Sequence, residues 1–234
     1  MEKIWYQAGL RSLEYIPDDA EFAVFGAGRT VCQALRAFYE QGFKQAVVCG
    51  SQGTKDFALD LGVDVAEEDA LRQDAYVYID GADQIDPDNN LIKGGYKGTG
   101  DPGIEGCMYR EKMLAYHSKQ FIVIADDTKL VDRLGQDGYK LPVEVSIFDL
   151  GKTKDILDSL LLPATVRKDK EGAYFTTENG NHILDSDMED AGIYQLRQLE
   201  EVLESKEGIF STGLFAKRKP EAVIIASEEG VYVR

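Results

Sequence analysis

Apolar and polar positions along the chain alternate between two patterns, one typical of buried strands and one typical of amphipathic helices. Short apolar runs have the length and the β-branched or aromatic content of buried strands. These runs span residues 21–25, 44–49, 75–79 and 121–125. Between them, apolar residues recur at helical spacing, as in residues 4–16 and at Val31, Leu35 and Phe38. Strands that alternate with helices in this way predict an α/β fold built on a mostly parallel, doubly wound sheet.

The order of the predicted elements changes after residue 140, where short strands follow one another more closely. The predicted order is strand 143–146, helix 149–161, strands 164–167, 173–177 and 182–184, helix 191–203 and strand 209–211. This succession predicts a smaller inserted α+β domain of ferredoxin-like type over residues 141–207. The main α/β catalytic domain then comprises residues 1–140 and 208–234, with return strands at 222–226 and 231–233.

Candidate catalytic groups follow the strand at 75–79. This strand ends on Asp80, Asp83 follows across a Gly-Ala turn, and Lys93 precedes two glycines. Carboxylates at the C-terminal end of a parallel strand lie where open α/β sheets bind ligands. Carboxylates and an ammonium group beside glycine-rich backbone can bind a polar metabolite and move its protons. We therefore expect the active site at this place.

The acidic residues between 80 and 88 also allow a calcium-loop interpretation. The run lacks the spacing, the central glycine and the terminal glutamate of an EF-hand. Residues 86–90 instead have the composition of a solvated turn, which leaves Asp80 and Asp83 to point into a cleft. Taken alone, these two could equally be caps or surface carboxylates. The downstream Lys93 favours the catalytic interpretation.

Several blocks of the sequence stand out from this background. They are Asp80-Gly81-Ala82-Asp83, Leu91-Ile92-Lys93-Gly94-Gly95, Arg110-Glu111-Lys112, residues 121–126, Leu141-Pro142-Val143-Glu144-Val145, Asn179-Gly180-Asn181 and Gly213-Leu214-Phe215-Ala216. In this order they resemble the signature of type A ribose-5-phosphate isomerases over nearly the whole chain. The resemblance implies interconversion of D-ribose 5-phosphate and D-ribulose 5-phosphate, in the non-oxidative pentose phosphate pathway. It also implies a homodimer or homotetramer that uses no cofactor and no metal.

The same resemblance implies a role for each candidate residue. Glu111 would be the base that carries a proton between adjacent carbons through an enediol, and Lys93 would stabilise the oxyanion. Asp80 and Asp83 would bind hydroxyl groups and move the oxygen proton. The implied substrate-binding residues are Gly26, Gly28, Arg29, Thr30, Gly81, Ala82, Gly94, Gly95 and Lys129. For Lys129, an ordinary surface lysine at a helix start remains the alternative.

Residues 26–30, Gly-Ala-Gly-Arg-Thr, lie between a predicted strand and a predicted helix. Glycines let backbone approach an anion, and a helix N-terminus offers free N–H groups. The loop lacks the third glycine of a dinucleotide fingerprint and the Gly-Lys-Ser/Thr of a P-loop, and a plain tight turn is the alternative. In the family this loop is typically GTGST, so Arg29 replaces the serine and adds a guanidinium suited to phosphate. Trp5 or Tyr6 stands near the family's usual N-terminal lysine.

Residues 96–107 lengthen the connection to the Arg110-Glu111-Lys112 block relative to the family pattern. Their glycine and proline content predicts a flexible loop. This insertion could be a lid, an interface element or a change of substrate preference. It could also displace Lys93 relative to Glu111 and weaken activity. Glu105 within it is a rival for the carbon base, although the Arg-Glu-Lys context favours Glu111.

The composition narrows the classes of partner. The net charge is −16 and the sequence pI is near 4.5, and such a field repels nucleic acid and anionic lipid. No apolar run approaches the roughly 20 residues of a membrane span, and residues 1–15 lack a signal-peptide core. We therefore expect a cytoplasmic protein with neither nucleic acid nor membrane as partner. The cysteines Cys32, Cys49 and Cys107 lack disulfide or zinc spacing.

Three other functions compete with this interpretation. A paralogue that isomerises another sugar phosphate fits Arg29 and the insertion. A non-catalytic sugar-phosphate sensor would keep the pocket without turnover. An acyl-transferring enzyme of the wider fold group would use a glutamate nucleophile and a coenzyme site, for which the sequence has no motif. Turnover separates the first two from each other, and thioester dependence tests the third.

Overall fold

A computed structural model describes residues 1–67, 75–95, 108–148 and 150–234 of the chain. In these residues the α-helices are α1 (Glu2–Ser12), α2 (Arg29–Glu40), α3 (Gln52–Leu61), α4 (Met108–Tyr116), α5 (Leu150–Ser159) and α6 (Leu196–Glu204). The strands are β1 (Phe22–Phe25), β2 (Ala46–Cys49), β3 (Ala75–Asp80), β4 (Gln84–Ile85), β5 (Leu91–Ile92), β6 (Ser118–Asp126), β7 (Leu141–Val145), β8 (Ala164–Val166), β9 (His182–Ser186), β10 (Ile209–Thr212), β11 (Leu214–Phe215), β12 (Ala222–Ser227) and β13 (Gly230–Val233). The predicted insertion at 96–107, with Glu105, lies outside the described residues.

The chain divides into two compact units. The first comprises Met1–Ala82, Arg110–Lys129 and Pro220–Arg234, and the second comprises Asp83–Tyr109 and Leu130–Lys219. The predicted small domain, 141–207, falls within the second unit. The two compact units do not coincide with the predicted domains, and the predicted boundaries, 141–207 for the small domain and 1–140 with 208–234 for the main one, stay a prediction.

The first unit is built on a six-stranded sheet with the order β13-β12-β6-β3-β1-β2. Neighbouring strands run parallel, except that β13 pairs antiparallel with β12. Helices lie on both sides of the sheet. Apolar strand residues such as Phe25 and Ile79 share one buried cluster with Leu35 and Phe38 of α2. The predicted α/β class with a mostly parallel sheet is confirmed, and none of the described helices is long and apolar enough to cross a membrane.

The strand order of the first unit reverses at β1, because β2 and β3 pair with opposite sides of it. Open α/β sheets bind ligands at such a switch point, outside the carboxyl ends of the strands. Phe25 and Ile79 are paired residues of β1 and β3. Gly26 and Asp80, which follow them directly, therefore lie side by side at the switch point.

The second unit contains a four-stranded antiparallel sheet with the order β10-β7-β9-β8. Helix α5 connects β7 to β8 and helix α6 connects β9 to β10, which is the β-α-β-β-α-β succession of a ferredoxin-like domain. Alternate residues of a strand point to opposite faces. Leu141, Val143 and Val145 accordingly join the apolar core of this unit, while Pro142 and Glu144 lie on the other face. The predicted α+β, ferredoxin-like fold of this smaller domain is thus confirmed.

One predicted strand of this domain, at 173–177, is wrong. Only Tyr174 pairs there, in an isolated bridge with Lys168. The Asp169 carboxylate accepts two backbone N–H groups of the segment that leads into it, and the Thr177 N–H closes a turn downstream. The Phe175 N–H still reaches the Arg167 carbonyl at 3.0 Å, but turns on both sides of this bridge keep the pairing from extending, and no continuous strand forms despite the aromatic residues.

A second sheet of the same unit was not predicted. It has the order β11-β5-β4, and each of its antiparallel strands has two residues. Strands this short carry no periodic pattern of apolar residues. Their importance is positional, since β5 ends immediately before Lys93.

Candidate active site

Asp80 lies at the carboxyl end of β3, is fully buried, and is held by several donors of the first unit. Its Oδ1 accepts the backbone N–H groups of Gly81 at 2.7 Å and Ala27 at 3.2 Å. Its Oδ2 accepts the hydroxyl of Tyr78. A Cβ on Gly26 would lie far inside van der Waals contact with the Asp80 carboxyl group. Glycine at position 26 therefore makes room for Asp80.

The loop around Gly26 is also fixed from the side of β2 and α3. The Gly26 carbonyl accepts the Thr54 hydroxyl at 2.8 Å, and the Gly26 N–H donates to the Ile79 carbonyl at 2.9 Å. Ser51 caps α3 by accepting the Thr54 N–H at 3.2 Å. Hydrogen bonds on both sides of Gly26 thus hold the loop at the switch point.

Helix α2 begins at Arg29, directly after Gly28. Gly28 has φ +97° and ψ 172°, a conformation that is accessible essentially to glycine alone. Arg29 is exposed and Thr30 is half-buried. Backbone N–H groups of a first helical turn have no partner within the helix and carry the positive end of its dipole. The start of α2 can therefore bind an anion.

Trp5 of α1 supports Arg29 and was not predicted to do so. The Arg29 guanidinium carbon lies 5.4 Å from the centre of the Trp5 ring, within the range of a cation–π contact. The Trp5 Nε1–H donates to Asp126 Oδ2 at 2.8 Å. The sequence placed Trp5 or Tyr6 near the family's lysine, and the indole contributes a platform for a cation there.

Asp126 ends β6 and is buried. Desolvation raises its pKa, but the hydrogen bonds from Thr128 and Trp5 and the nearby charge of Lys129 outweigh that effect, so the pKa of this carboxyl lies below its ordinary value. Lys129 follows in a 3-10 turn and is half-buried. The ionised Asp126 therefore orients Trp5 at neutral pH.

Glu111 lies in the first turn of α4 and is only 7% exposed. The preceding Arg110 donates from Nη2 to the carbonyl oxygen of Cys49 at 2.9 Å. Cys49 ends β2, so this bond ties α4 to the carboxyl edge of the parallel sheet. A helix dipole favours a negative charge in the first turn.

The second unit carries the other pair of predicted catalytic residues. Asp83, half-buried, follows β3, and its N–H donates to the Ile92 carbonyl at 2.8 Å. Lys93 follows β5, is 3% exposed, and its N–H donates to the Gly213 carbonyl at 2.9 Å. The Gly95 N–H donates to Asp83 Oδ2 at 3.1 Å. Asp83 and the Lys93 loop are therefore brought together by backbone hydrogen bonds.

Tyr139 adds a further bond to this loop and was not predicted. Its hydroxyl donates to the Gly95 carbonyl at 2.9 Å. Burial first, and then the charge and hydrogen bond of Asp83, raise the pKa of Tyr139. The hydroxyl therefore stays protonated and remains a donor at physiological pH.

Arg167 and Asp185 form a buried ion pair that also reaches the loop. The Arg167 Nη2 donates to the Gly94 carbonyl at 2.9 Å. Both side chains are almost completely buried. The sequence offered one signal, a charged residue directly after one short apolar strand and another within the next, but their pairing depends on a strand register that the sequence does not display.

Asp86 belongs to a turn and not to the catalytic set. Its Oδ1 accepts the N–H groups of Asp88 and Asn90, and its Oδ2 accepts the Asn90 side-chain amide. Asp86 is itself buried, so the expected solvated turn is wrong for this residue, while Pro87 and Asp88 are exposed. No group of three or more His, Cys, Asp or Glu side chains suited to a metal ion occurs among the described residues.

The predicted site residues thus fall into two sets. The first unit contains the Gly26–Thr30 loop, Asp80 with Gly81 and Ala82, Glu111 and Lys129, and the second contains Asp83 and the residues 93–95. Each set combines at least one carboxylate with a cation and glycine-containing backbone. Such groups can bind phosphate and hydroxyl groups and transfer protons.

The chain is similar to proteins of one family over its whole length. The family described as Ribose 5-phosphate isomerase A (phosphoriboisomerase A) matches residues 46–230. The ribose-5-phosphate isomerase A of Bradyrhizobium diazoefficiens is 34% identical over 246 residues, with 100% of this chain and 95% of that protein covered. That of Desulfatibacillum aliphaticivorans is 34% identical over 235 residues, covering 96% and 94%.

Solved structures show the same similarity. The ribose 5-phosphate isomerase A of Neisseria gonorrhoeae has a TM-score of 0.84 at 25% identity, covering 99% of this chain and 96% of that one. A D-ribose-5-phosphate isomerase in complex with phospho-erythronic acid has a TM-score of 0.85 at 27% identity, covering 100% and 98%. The similarity therefore includes both compact units.

Proposed function

The chain belongs to the ribose 5-phosphate isomerase A family, and from that premise we propose that it interconverts D-ribose 5-phosphate and D-ribulose 5-phosphate. The observation that carries this proposal is the 34% identity to a curated isomerase over the full chain. A relative of similar fold was solved with phospho-erythronic acid, which supports a phosphorylated pentose as substrate. The protein is an aldose–ketose isomerase of the pentose phosphate pathway.

The reaction moves a proton between two adjacent carbons through an enediol. We assign the carbon base to Glu111. Its carboxylate takes the proton from C2 of the aldose and returns it to C1. One carboxylate suffices because it reaches both carbons from the same face of the planar enediol. Burial of Glu111 supports this role, since exclusion of water prevents loss of the proton.

Charge that develops on the substrate oxygen during this transfer requires a donor. Lys93 supplies an ammonium group for it, and the low exposure of this residue strengthens the electrostatic attraction. Asp80 and Asp83 hold the substrate hydroxyls and transfer the proton between O1 and O2. Both aspartates have their carboxylates fixed by backbone N–H donors, which supports a positioned role.

The phosphate group requires local positive charge in a chain with a net charge of −16. We assign its binding to the first turn of α2, with the backbone of Gly28 and Thr30 and the guanidinium of Arg29. The Trp5 ring supports this assignment, because it limits the rotamers of Arg29. Lys129 adds a second cation for the substrate.

Turnover of ribose 5-phosphate by chelator-treated wild type and by Glu111→Gln tests the proposal. We expect metal-independent turnover by the wild type and a loss of at least about 10²-fold in the variant, the low end of a general-base contribution. Glu201→Gln, on the exposed side of α6, is the matched control and should retain wild-type turnover.

Each other outcome points to a specific alternative. Full activity of Glu111→Gln would refute the assignment of the base, and Glu105→Gln would then be measured. Binding of ribose 5-phosphate without turnover by the wild type would refute the isomerase and favour a sensor. Turnover of a different sugar phosphate would identify a paralogue.

Assembly and location are further proposals. We infer a homodimer or homotetramer from the family resemblance, and a cytoplasmic location from the metabolic pathway of the reaction. Light scattering after size exclusion measures the mass of the assembly directly. A monomer at micromolar concentration would contradict the proposed assembly.

A further inference from the structure

The ion pair between Arg167 and Asp185 has a defined geometry. Arg167 Nε lies 3.0 Å from Asp185 Oδ2, and Arg167 Nη2 lies 2.5 Å from Asp185 Oδ1. Thr165 pairs with Asp185 across β8 and β9, and Arg167 is two residues further along the chain. Residues in this diagonal relation lie on the same face of an antiparallel sheet. The register therefore makes the two-point contact possible.

The same guanidinium makes a bond outside the pair. Its Nη2 donates to the carbonyl oxygen of Gly94 at 2.9 Å. Gly94 has φ +68°, a left-handed conformation that only glycine adopts without strain. The bond thus fixes the orientation of the Gly94–Gly95 peptide, the second peptide after Lys93.

Burial makes this arrangement informative. Both side chains are 1% exposed or less, and a buried ion pair is often no more stabilising than apolar residues of the same size. Stability alone is therefore a weak reason for it. A rigid planar fork that holds one carbonyl oxygen is better explained by a need for accurate placement.

We propose that Arg167 and Asp185 are positioning residues for Lys93 in the isomerase reaction. Arg167 holds the Gly94 carbonyl, and the Gly213 carbonyl holds the Lys93 N–H. Hydrogen bonds therefore constrain the backbone on both sides of Lys93. The ammonium group then meets the developing oxyanion with little reorganisation. This inference rests on the proposed function, because it assigns Arg167 and Asp185 a positioning role in the same reaction.

The main experiment uses the double variant Arg167→Met/Asp185→Leu. It removes the bond to Gly94 without leaving an unpaired buried charge, which a single replacement would do. Arg167→Lys is the conservative variant, since an ammonium keeps the charge but cannot hold Asp185 and Gly94 with the same fork. Lys217→Met, which breaks the half-buried pair with Glu204 in the same unit, is the matched control.

Two measurements are made on each folded protein. The first is kcat and KM for ribose 5-phosphate, and the second is hydrogen exchange of the Gly95 amide. We expect kcat of the double variant to fall by about 10- to 10²-fold, the cost of a small misplacement near the chemistry. KM should change much less, and the Gly95 amide should exchange faster. Arg167→Lys should retain more of kcat than the double variant, and Lys217→Met should match the wild type.

The outcomes separate this inference from the proposed function. Active wild type together with a folded double variant of unchanged kcat and unchanged Gly95 exchange would overturn the positioning role and leave the isomerase standing. A loss confined to thermal stability would likewise overturn it. Absence of turnover in the wild type would refute the proposed function and the catalytic part of this inference with it.

Discussion

Two glycine-containing loops, one in each compact unit, use glycine for the same physical reason but serve different ends. In the first unit Gly26 makes room for the buried carboxylate of Asp80. In the second unit a Cβ on Gly95 would lie 2.5 Å from the Lys140 carbonyl oxygen and 2.7 Å from Tyr139 Cε1. The sequence suggested that the glycines of the first loop let backbone approach an anion, and the family resemblance implied that Gly95 binds substrate. At both positions the protein's own groups occupy the space beside the glycine.

The loops differ in what they leave accessible. The first continues into Gly28, where a Cβ would meet none of the described atoms within 4 Å, and into the exposed Arg29. The second is held by hydrogen bonds at Gly94 and Gly95, and Lys93 is buried. The first loop therefore leaves backbone and a cation accessible, and the second is held by hydrogen bonds next to the buried Lys93.

The largest effect should come from filling the second loop, where the nearest obstructing atom is backbone. Gly95→Ala places a methyl group against the Lys140 backbone, which cannot rotate away, and should lower the free energy of unfolding by about 3 kcal/mol, the upper range for overpacking. Gly26→Ala meets the Asp80 side chain, which can shift only by giving up hydrogen bonds. Its cost should be about 2 kcal/mol, with loss of turnover because Asp80 moves. Urea denaturation followed by circular dichroism measures both.

Gly151→Ala is the control for this comparison. Gly151 lies in α5, and its Cβ would meet none of the described atoms within 4 Å. Alanine should therefore be neutral or stabilising by up to about 1 kcal/mol. Equal costs for Gly95→Ala and Gly26→Ala would contradict the distinction between backbone and side-chain obstruction.

The second effect concerns anion binding at the first loop, residues 26–30. Arg29→Met removes the guanidinium but keeps a side chain that can lie on Trp5, so stability should change little. KM for ribose 5-phosphate should rise about tenfold, the scale of one hydrogen bond to a charged group. Inorganic phosphate should inhibit the variant correspondingly less.

Arg36→Met is a matched replacement on the same helix. Its guanidinium lies 5.8 Å from the centre of the Phe57 ring, so the control also loses a cation–π contact of similar distance. We expect its KM to equal that of the wild type. If both variants raise KM alike, the effect belongs to the charge of the helix as a whole and Arg29 is not a phosphate ligand.

The fold was largely predictable because each central strand is an apolar run long enough to be recognised. Residues 75–79 and 121–125 are examples, and both form strands of the parallel sheet. The two-residue strands β4, β5 and β11 have no such pattern. The segment 173–177 had a strand-like composition, but turns on either side limit it to one isolated bridge, and local composition does not reveal that competition.

The candidate site divides in the same way. Gly26 and Asp80 were predicted because each follows an apolar strand directly, and parallel strands share their carboxyl edge. Tyr139, Arg167 and Asp185 were missed, because their contacts depend on the antiparallel register of the smaller sheet and on loop conformation. Sequence spacing identifies groups at strand ends and does not identify the groups that hold them.

The smallest effect should be a pH-dependent change in stability at Asp126, which holds the Trp5 ring beside Arg29. The folded-state pKa of Asp126 lies below its ordinary value, so this group stabilises the fold at pH values above its unfolded-state pKa of about 4. That stability is lost as the pH falls through the lower folded-state pKa. Asp126→Asn keeps an acceptor for one donor and should cost about 1 kcal/mol at pH 7. In denaturation series from pH 3 to pH 7, the difference between wild type and variant should shrink below about pH 4; a constant difference would show that Asp126 supports Trp5 by shape alone and not by its charge.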